Sequence, residues 1–137
     1  MGYVLTDVNL VATTLADPDA AVATFRYEVE SPQVPGAGQM FTVAPEGGSA
    51  ELRIDIDEEA DRAALVWLPD GSYGIELAAA DGITVYWFTD ARPIEVPAQF
   101  ARVSTATATN AVREYVATGQ RPTCVRWSLE HGPYPFL

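Results

Sequence analysis

The chain has 137 residues, 48% apolar and 10% aromatic, which suits one packed α+β-sized domain and excludes a disordered chain. Nineteen acidic residues stand against eight basic ones, all arginine, for a net charge of −11; nucleic acid and anionic membranes are repelled, and a basic partner is favoured. The single cysteine, Cys124, excludes an internal disulfide.

In chain order, residues 3–12 form a mixed apolar segment expected as a first strand. Asp17-Pro18-Asp19 is a strong helix start: Asp17 caps, Pro18 suits the first helical position, and Asp19 favours the positive helix end. That helix should run to about Glu30 and bury Ala21, Val22, Phe25 and Val29. Ser31-Pro32, Pro35-Gly36 and Gly38 then make a loop.

A run of strands follows. Residues 39–43 form one, closed by Pro45 and Gly47-Gly48. Residues 51–57 alternate: Leu52, Ile54 and Ile56 face in, while Glu51, Arg53, Asp55 and Asp57 are expected on a wet face. Residues 63–68 and 73–79 should pair through the turn Pro69-Asp70-Gly71-Ser72. Asp81-Gly82 is expected to turn a further hairpin into residues 83–88. Pro93 and Pro97 bound a short edge strand or extended loop. Ser104 or Thr105 caps a second helix ending near Thr118, with Ala108, Ala111, Val112, Tyr115 and Val116 as its apolar stripe and Gly119 as its left-handed cap. Residues 123–129 make the last strand, burying Cys124, and residues 131–137 form a proline-broken tail. The expected fold is one α+β domain over residues 1–137: a mostly antiparallel sheet with both helices packed on one face and the other face partly open.

No constellation carries obvious chemistry. The densest acidic run, Asp55-Ile56-Asp57-Glu58-Glu59-Ala60-Asp61, has Ala60 and Val66 where a calcium loop needs Gly and Glu, so no metal is assigned to it. It reads either as a solvated strand end or as a contact patch for arginine and lysine of a partner. Paired carboxylates across a sugar-sized cleft are a further reading that spacing alone does not support. His131, the only histidine, lies in the Gly-Pro-Tyr-Pro tail, a poor place for a held general base, and no nucleophile elbow or phosphate-cradling glycine loop is present. The aromatics Trp67, Tyr73, Tyr86, Trp87 and Phe88 fall on neighbouring strands with side chains on both faces. One face must be core; the other, rimmed by Glu76 and Asp90, suits a binding patch with aromatic anchors.

Four segments together resemble a known family. They are Ile94-Glu95-Val96-Pro97 before the second helix, Ala111-Val112-Arg113-Glu114-Tyr115 within it, Thr118-Gly119-Gln120-Arg121-Pro122 after it, and Val125-Arg126-Trp127 at the end. With the strand–turn pattern back to about Met40, they are similar to family one of the bacterial polymorphic-toxin immunity proteins, most strongly over residues 83–127. Many relatives carry an acid beside the final tryptophan, where this chain has Arg126 and Ser128, so any partner contact made through that acid must differ here.

The resemblance implies a cytoplasmic inhibitor without catalysis, cofactor or metal. Its partner would be a cognate toxin domain, basic and of the zinc-dependent nucleic-acid deaminase type that this family often faces; nucleic acid and membranes would not be bound directly. Asp55, Asp57, Glu58, Glu59 and Asp61 are the expected electrostatic contacts, with Tyr73, Tyr86, Phe88 and Asp90 at the centre of the patch. The rival readings are a small carboxylate-dependent enzyme, which needs a pocket holding two close acids, and a general acidic adaptor or ligand-binding domain.

Overall fold

Both helices form where their capping residues place them. In the computed structural model, which describes residues 2–32, 36–86 and 93–136, α1 spans Pro18–Val29 and α2 spans Thr105–Thr118. The Asp17 side chain accepts from the Ala20 amide, and Ser104 does the same for Thr107. Gly119 closes α2 at φ 69°, its amide bonded to the Tyr115 carbonyl at 2.7 Å; a Cβ there would also sit 2.6 Å from the Tyr3 hydroxyl.

Among the described residues nine strands form one sheet: β1 (Tyr3–Thr6), β2 (Ala12–Leu15), β3 (Gly38–Pro45), β4 (Leu52–Asp57), β5 (Arg62–Trp67), β6 (Ser72–Ile75), β7 (Ile83–Tyr86), β8 (Ile94–Val96) and β9 (Arg126–Ser128). Along the main path the order is β2-β1-β3-β4-β5-β6-β9, all antiparallel. β3 shares one flank between two partners. Thr42–Pro45 pairs with β1, while Gly38 and Gln39 pair in parallel with Val85 and Tyr86 of β7, whose other neighbour is β8. Gly38 is required at that crowded start: a Cβ would stand 2.4 Å from the Ile56 carbonyl oxygen and 2.9 Å from Val85.

Two expectations about the strands need correction. Residues 3–12 are not one strand; β1 turns back through residues 7–11 into β2, which makes the sheet edge. The Asp81-Gly82 hairpin does not form either. β6 pairs with β5 and β9, and β7 leaves to join β3 and β8. The 93–97 segment does supply an edge strand, β8.

Both helices lie on the same sheet face. Ala21, Phe25 and Val29 of α1 and Ala108, Ala111, Val112, Tyr115 and Val116 of α2 share one core with Phe41, Val43, Leu52, Ile54, Ile56 and Leu65. Phe25 meets Phe41 edge-on at 5.5 Å, and Tyr115 is flanked by Tyr3 and Trp67. The second face, expected to be partly open, carries its own apolar cluster built from Val66, Tyr73, Ile83, Val85, Phe100 and Tyr134 among others. The tail supplies its cover. The Tyr134 amide bonds the Gly71 carbonyl at 2.8 Å, and the His131 amide donates to the Tyr73 hydroxyl at 3.0 Å.

That cover explains why the wet face of β4 is dry. Arg53 and Asp55 do point away from the helices, but Asp55 is 0% exposed. Its carboxylate accepts from Arg53 at 3.0 and 3.3 Å and from the Tyr134 hydroxyl at 2.5 Å, while Arg53 also donates to the Phe136 carbonyl and lies 5.4 Å from the Tyr134 ring centre. Burial pushes the Asp55 carboxyl up from its ordinary value, and the Arg53 charge and Tyr134 hydroxyl pull it back. Alternation separates the two faces of a strand; it does not say what distant chain covers the second.

Candidate partner-binding surface

The strand directions gather the acidic groups at one end. β4 ends there, at the turn into β5, carrying Asp57, Glu58, Glu59 and Asp61. α1 delivers its C-terminal turn to the same place: Arg26 bonds Glu58 at 2.6 and 3.0 Å and Glu30 at 2.9 Å. The Gln39 side-chain Nε2 at the start of β3 donates to the Glu28 carbonyl at 3.1 Å. The turn over residues 7–11 completes this end, and the Asp7 charge adds to burial in pushing the Glu28 carboxyl up. The negative end of the α1 dipole points the same way.

Between α1, β3 and β4 lies a cleft of about 300 Å³, lined by Val29 and Ile56 on its apolar side and by Glu30, Asp57, Glu58 and Glu59 on its acidic side. Glu59 is exposed and makes no hydrogen bond or ion pair with the described residues. Among the described residues, two of the cleft's acids, Glu30 and Glu58, are bonded to Arg26.

Asp61 serves the fold. It sits at φ 53°, a conformation aspartate tolerates, and accepts from the Thr105 amide at 3.0 Å and the Thr105 hydroxyl at 2.7 Å. Glu76 accepts in the same way from the Ser104 amide at 2.8 Å and the Thr107 hydroxyl at 2.6 Å. Two carboxylates thus close the positive end of α2. The Thr105 hydrogen bonds hold Asp61 below its ordinary value; for Glu76 burial pushes upward, but the Thr107 and Ser104 bonds outweigh it and the net direction is down. Both contributions are complete above the ordinary carboxylate range and are lost as pH falls through the lowered folded values. Asp61→Ala should therefore cost about 1–2 kcal/mol in urea unfolding at pH 7. Asp61→Asn, which keeps the acceptor and the backbone tolerance, should cost less and make stability less sensitive to acid.

The expected site residues fall into three groups. Asp57, Glu58, Glu59 and Asp61 meet at the acidic end, with Asp57 half-buried. Asp55 and Tyr73, expected at the surface, are interior: Tyr73 is 0% exposed and meets Phe100 edge-on at 4.9 Å. Tyr86 is half-buried where β7 meets β3, and Phe88, Asp90 and Trp87 lie outside the described residues. Sequence reasoning missed Glu28, Glu30 and Arg26, which only the packing of α1 brings to the acidic run. It also missed three exposed apolar side chains at the same end: Leu10, Val11 and Tyr27. Tyr27 was available to it, since it falls opposite the Ala21–Phe25–Val29 stripe.

The C-terminal signature is structural. After Gly119 the chain turns at buried Pro122, whose carbonyl accepts from the Trp127 indole at 2.7 Å. Arg121 lies 5.5 Å from the Trp127 ring and 3.5 Å from Asp70, and Glu114 accepts from the Thr123 amide and hydroxyl at 2.7 and 2.9 Å. These bonds hold the turn that carries the chain from α2 to β9. Cys124 was expected inside the last strand; it precedes β9 and is exposed. Desolvation of its sulfur and the Glu114 charge push the thiol up, the reverse of an activated nucleophile. Among the described residues no group of His, Cys, Asp and Glu is arranged to hold a metal, and no helix is long and apolar enough to cross a membrane.

A family model for the immunity protein Imm1 matches residues 6–129. The chain belongs to the Imm1 immunity protein family. The match takes in both helices, β2 to β9 and the Gly119–Trp127 turn, so the resemblance carried by those segments holds over nearly the whole chain. A comparison with curated proteins found no match. An Imm1 protein has a toxin-neutralising immunity role, and the end of this Imm1 chain that carries Asp57, Glu58, Glu59 and Glu30 is mostly acidic and also exposes apolar groups.

Proposed function

We propose that this Imm1 protein neutralises a zinc-dependent nucleic-acid deaminase toxin in the cytoplasm by covering its active cleft, as a binding protein with no turnover of its own. The observation that carries this is the gathering of Glu28, Glu30, Asp57, Glu58 and Glu59 at one end of a chain of net charge −11. An enzyme that acts on nucleic acid needs a cationic groove for phosphate. A polyanionic protein end competes for the same groove, and complementary charge raises the rate of encounter.

Co-expression with the cognate toxin domain tests the role: growth should be rescued, the two chains should co-purify, and deamination of a nucleic-acid substrate should stop. A toxin with no deaminase activity would remove the substrate class while leaving the immunity role. Asp57→Lys with Glu59→Lys should slow association about tenfold at low salt and flatten its salt dependence. Stopped-flow rates unchanged at every ionic strength would take the acidic cleft out of the encounter.

A further inference from the structure

Three of the four large apolar side chains that the described residues expose belong to the acidic end: Leu10 at 67%, Val11 at 55% and Tyr27 at 69%. Leu10 is held at φ 62°, the left-handed region that a leucine rarely enters. The turn around it is tied down. The Asp7 carboxylate accepts from the Asn9 amide at 2.8 Å and the Val11 amide at 3.0 Å. The Leu10 amide bonds the Asp7 carbonyl at 3.0 Å, the Asp7 amide bonds the Val11 carbonyl at 3.1 Å, and Val8 is sunk in the interior at 1% exposure. A strained backbone that projects an apolar side chain into water gains this chain no burial, and such strain concentrates at binding sites.

We propose that the turn over residues 7–11 and the last turn of α1 form the docking surface for the partner, with Leu10, Val11 and Tyr27 as anchors and the surrounding carboxylates selecting a lysine- or arginine-rich face of the toxin domain. This rests on the toxin reading above and adds to it the surface used. Charge complementarity names the occupant. Asp7, Glu28, Glu30, Glu58 and Glu59 surround or adjoin the anchors, and among the described residues Arg26 is the one cation bonded to them. A second copy of this chain would set −11 against −11, whereas a basic partner relieves the crowding of Asp7 and Glu28. Because the turn is already fixed, its ordering entropy is not lost again on binding.

The test uses the full chain and a purified toxin domain whose toxicity the chain suppresses, with affinity measured by titration calorimetry and Tm for each variant. Leu10→Asn places a residue that tolerates the left-handed region, so its Tm should equal or exceed that of the parent while its affinity falls at least about tenfold. Tyr27→Ala should weaken binding to a similar degree with little change in Tm. Leu129→Ala, at the fourth exposed apolar side chain beside β9, should leave affinity unchanged. Parent-like affinity for both Leu10→Asn and Tyr27→Ala would overturn the docking surface while leaving toxin neutralisation intact. A Tm loss for Leu10→Asn would show a structural turn instead, and dimerisation of the free chain abolished by either variant would make a second copy the occupant. Failure of the parent chain to bind the toxin would sink the toxin reading and this surface with it.

Discussion

Asp55→Ala should be the most damaging single substitution in β4, costing about 3–5 kcal/mol of stability. Asp55 and Arg53 are 0% and 6% exposed, and they lie two residues apart on the same strand face. Removing the carboxylate leaves the guanidinium buried beside a cavity and takes the acceptor from the Tyr134 hydroxyl, so desolvation already incurred is no longer offset. For a domain of this length that loss should lower Tm by about 10–17 °C. Replacing the pair together, Arg53→Met with Asp55→Leu, should recover part of the loss, because apolar groups fill the space without needing partners. Recovery should stay incomplete, since Arg53 also holds the Phe136 carbonyl. Chemical denaturation of the three variants distinguishes these outcomes; a near-neutral Asp55→Ala would mean that the pair is hydrated in solution.

Tyr134→Ala should follow closely, at about 3–5 kcal/mol. Tyr134 is 1% exposed, meets Phe100 and Phe136 edge-on at 5.4 and 5.3 Å, and gives its hydroxyl to Asp55. Its loss opens a cavity on the second sheet face and loosens the tail from Gly71 and Arg53. Tyr134→Phe keeps the ring and removes only the hydrogen bond, so it should cost about 1–2 kcal/mol. Together the two variants separate the packing share from the polar share. A dye that binds exposed apolar surface should report Tyr134→Ala and ignore Tyr134→Phe. The same cover takes Tyr73 and Asp55, two of the residues expected to meet a partner, into the interior.

The helices were legible because their signals are local. Asp17-Pro18 and Ser104 fix the starts, Gly119 fixes the second end, and the apolar stripes fall on the core as their spacing requires. The two-helix face and the antiparallel sheet followed from strand–turn spacing. Non-local pairing was not legible. Nothing in the sequence around Gly38 announces a parallel contact with Val85, and in residues 7–11 only Asp7 and Asn9 hint at a fixed turn in place of a strand. The acidic run reads in sequence as a solvated strand end or a contact patch, yet its members do different things. Asp55 is core, Glu58 is paired with Arg26, Asp61 caps α2, and Glu59 remains unbonded among the described residues. Composition counts charges; only the fold decides which of them stay available. The anchors at Leu10 and Val11 were hidden for a related reason, since an apolar residue in a short segment reads as a strand interior unless the turn is recognised.

Trp67 and Trp127 both sit near the far end of α2, one against Tyr115 at 5.8 Å and the other beneath Arg121 after Gly119. A helix of fourteen residues, about 20 Å long, separates that end from Asp61 and the cleft. In a Trp87→Phe background these two indoles are the only ones left, so their emission should follow unfolding closely while staying nearly silent when a ligand engages the opposite pole. A spectroscopist working with this chain therefore needs a dye or a tryptophan placed near residue 27 to watch complex formation, and can use the native signal as a separate gauge of integrity.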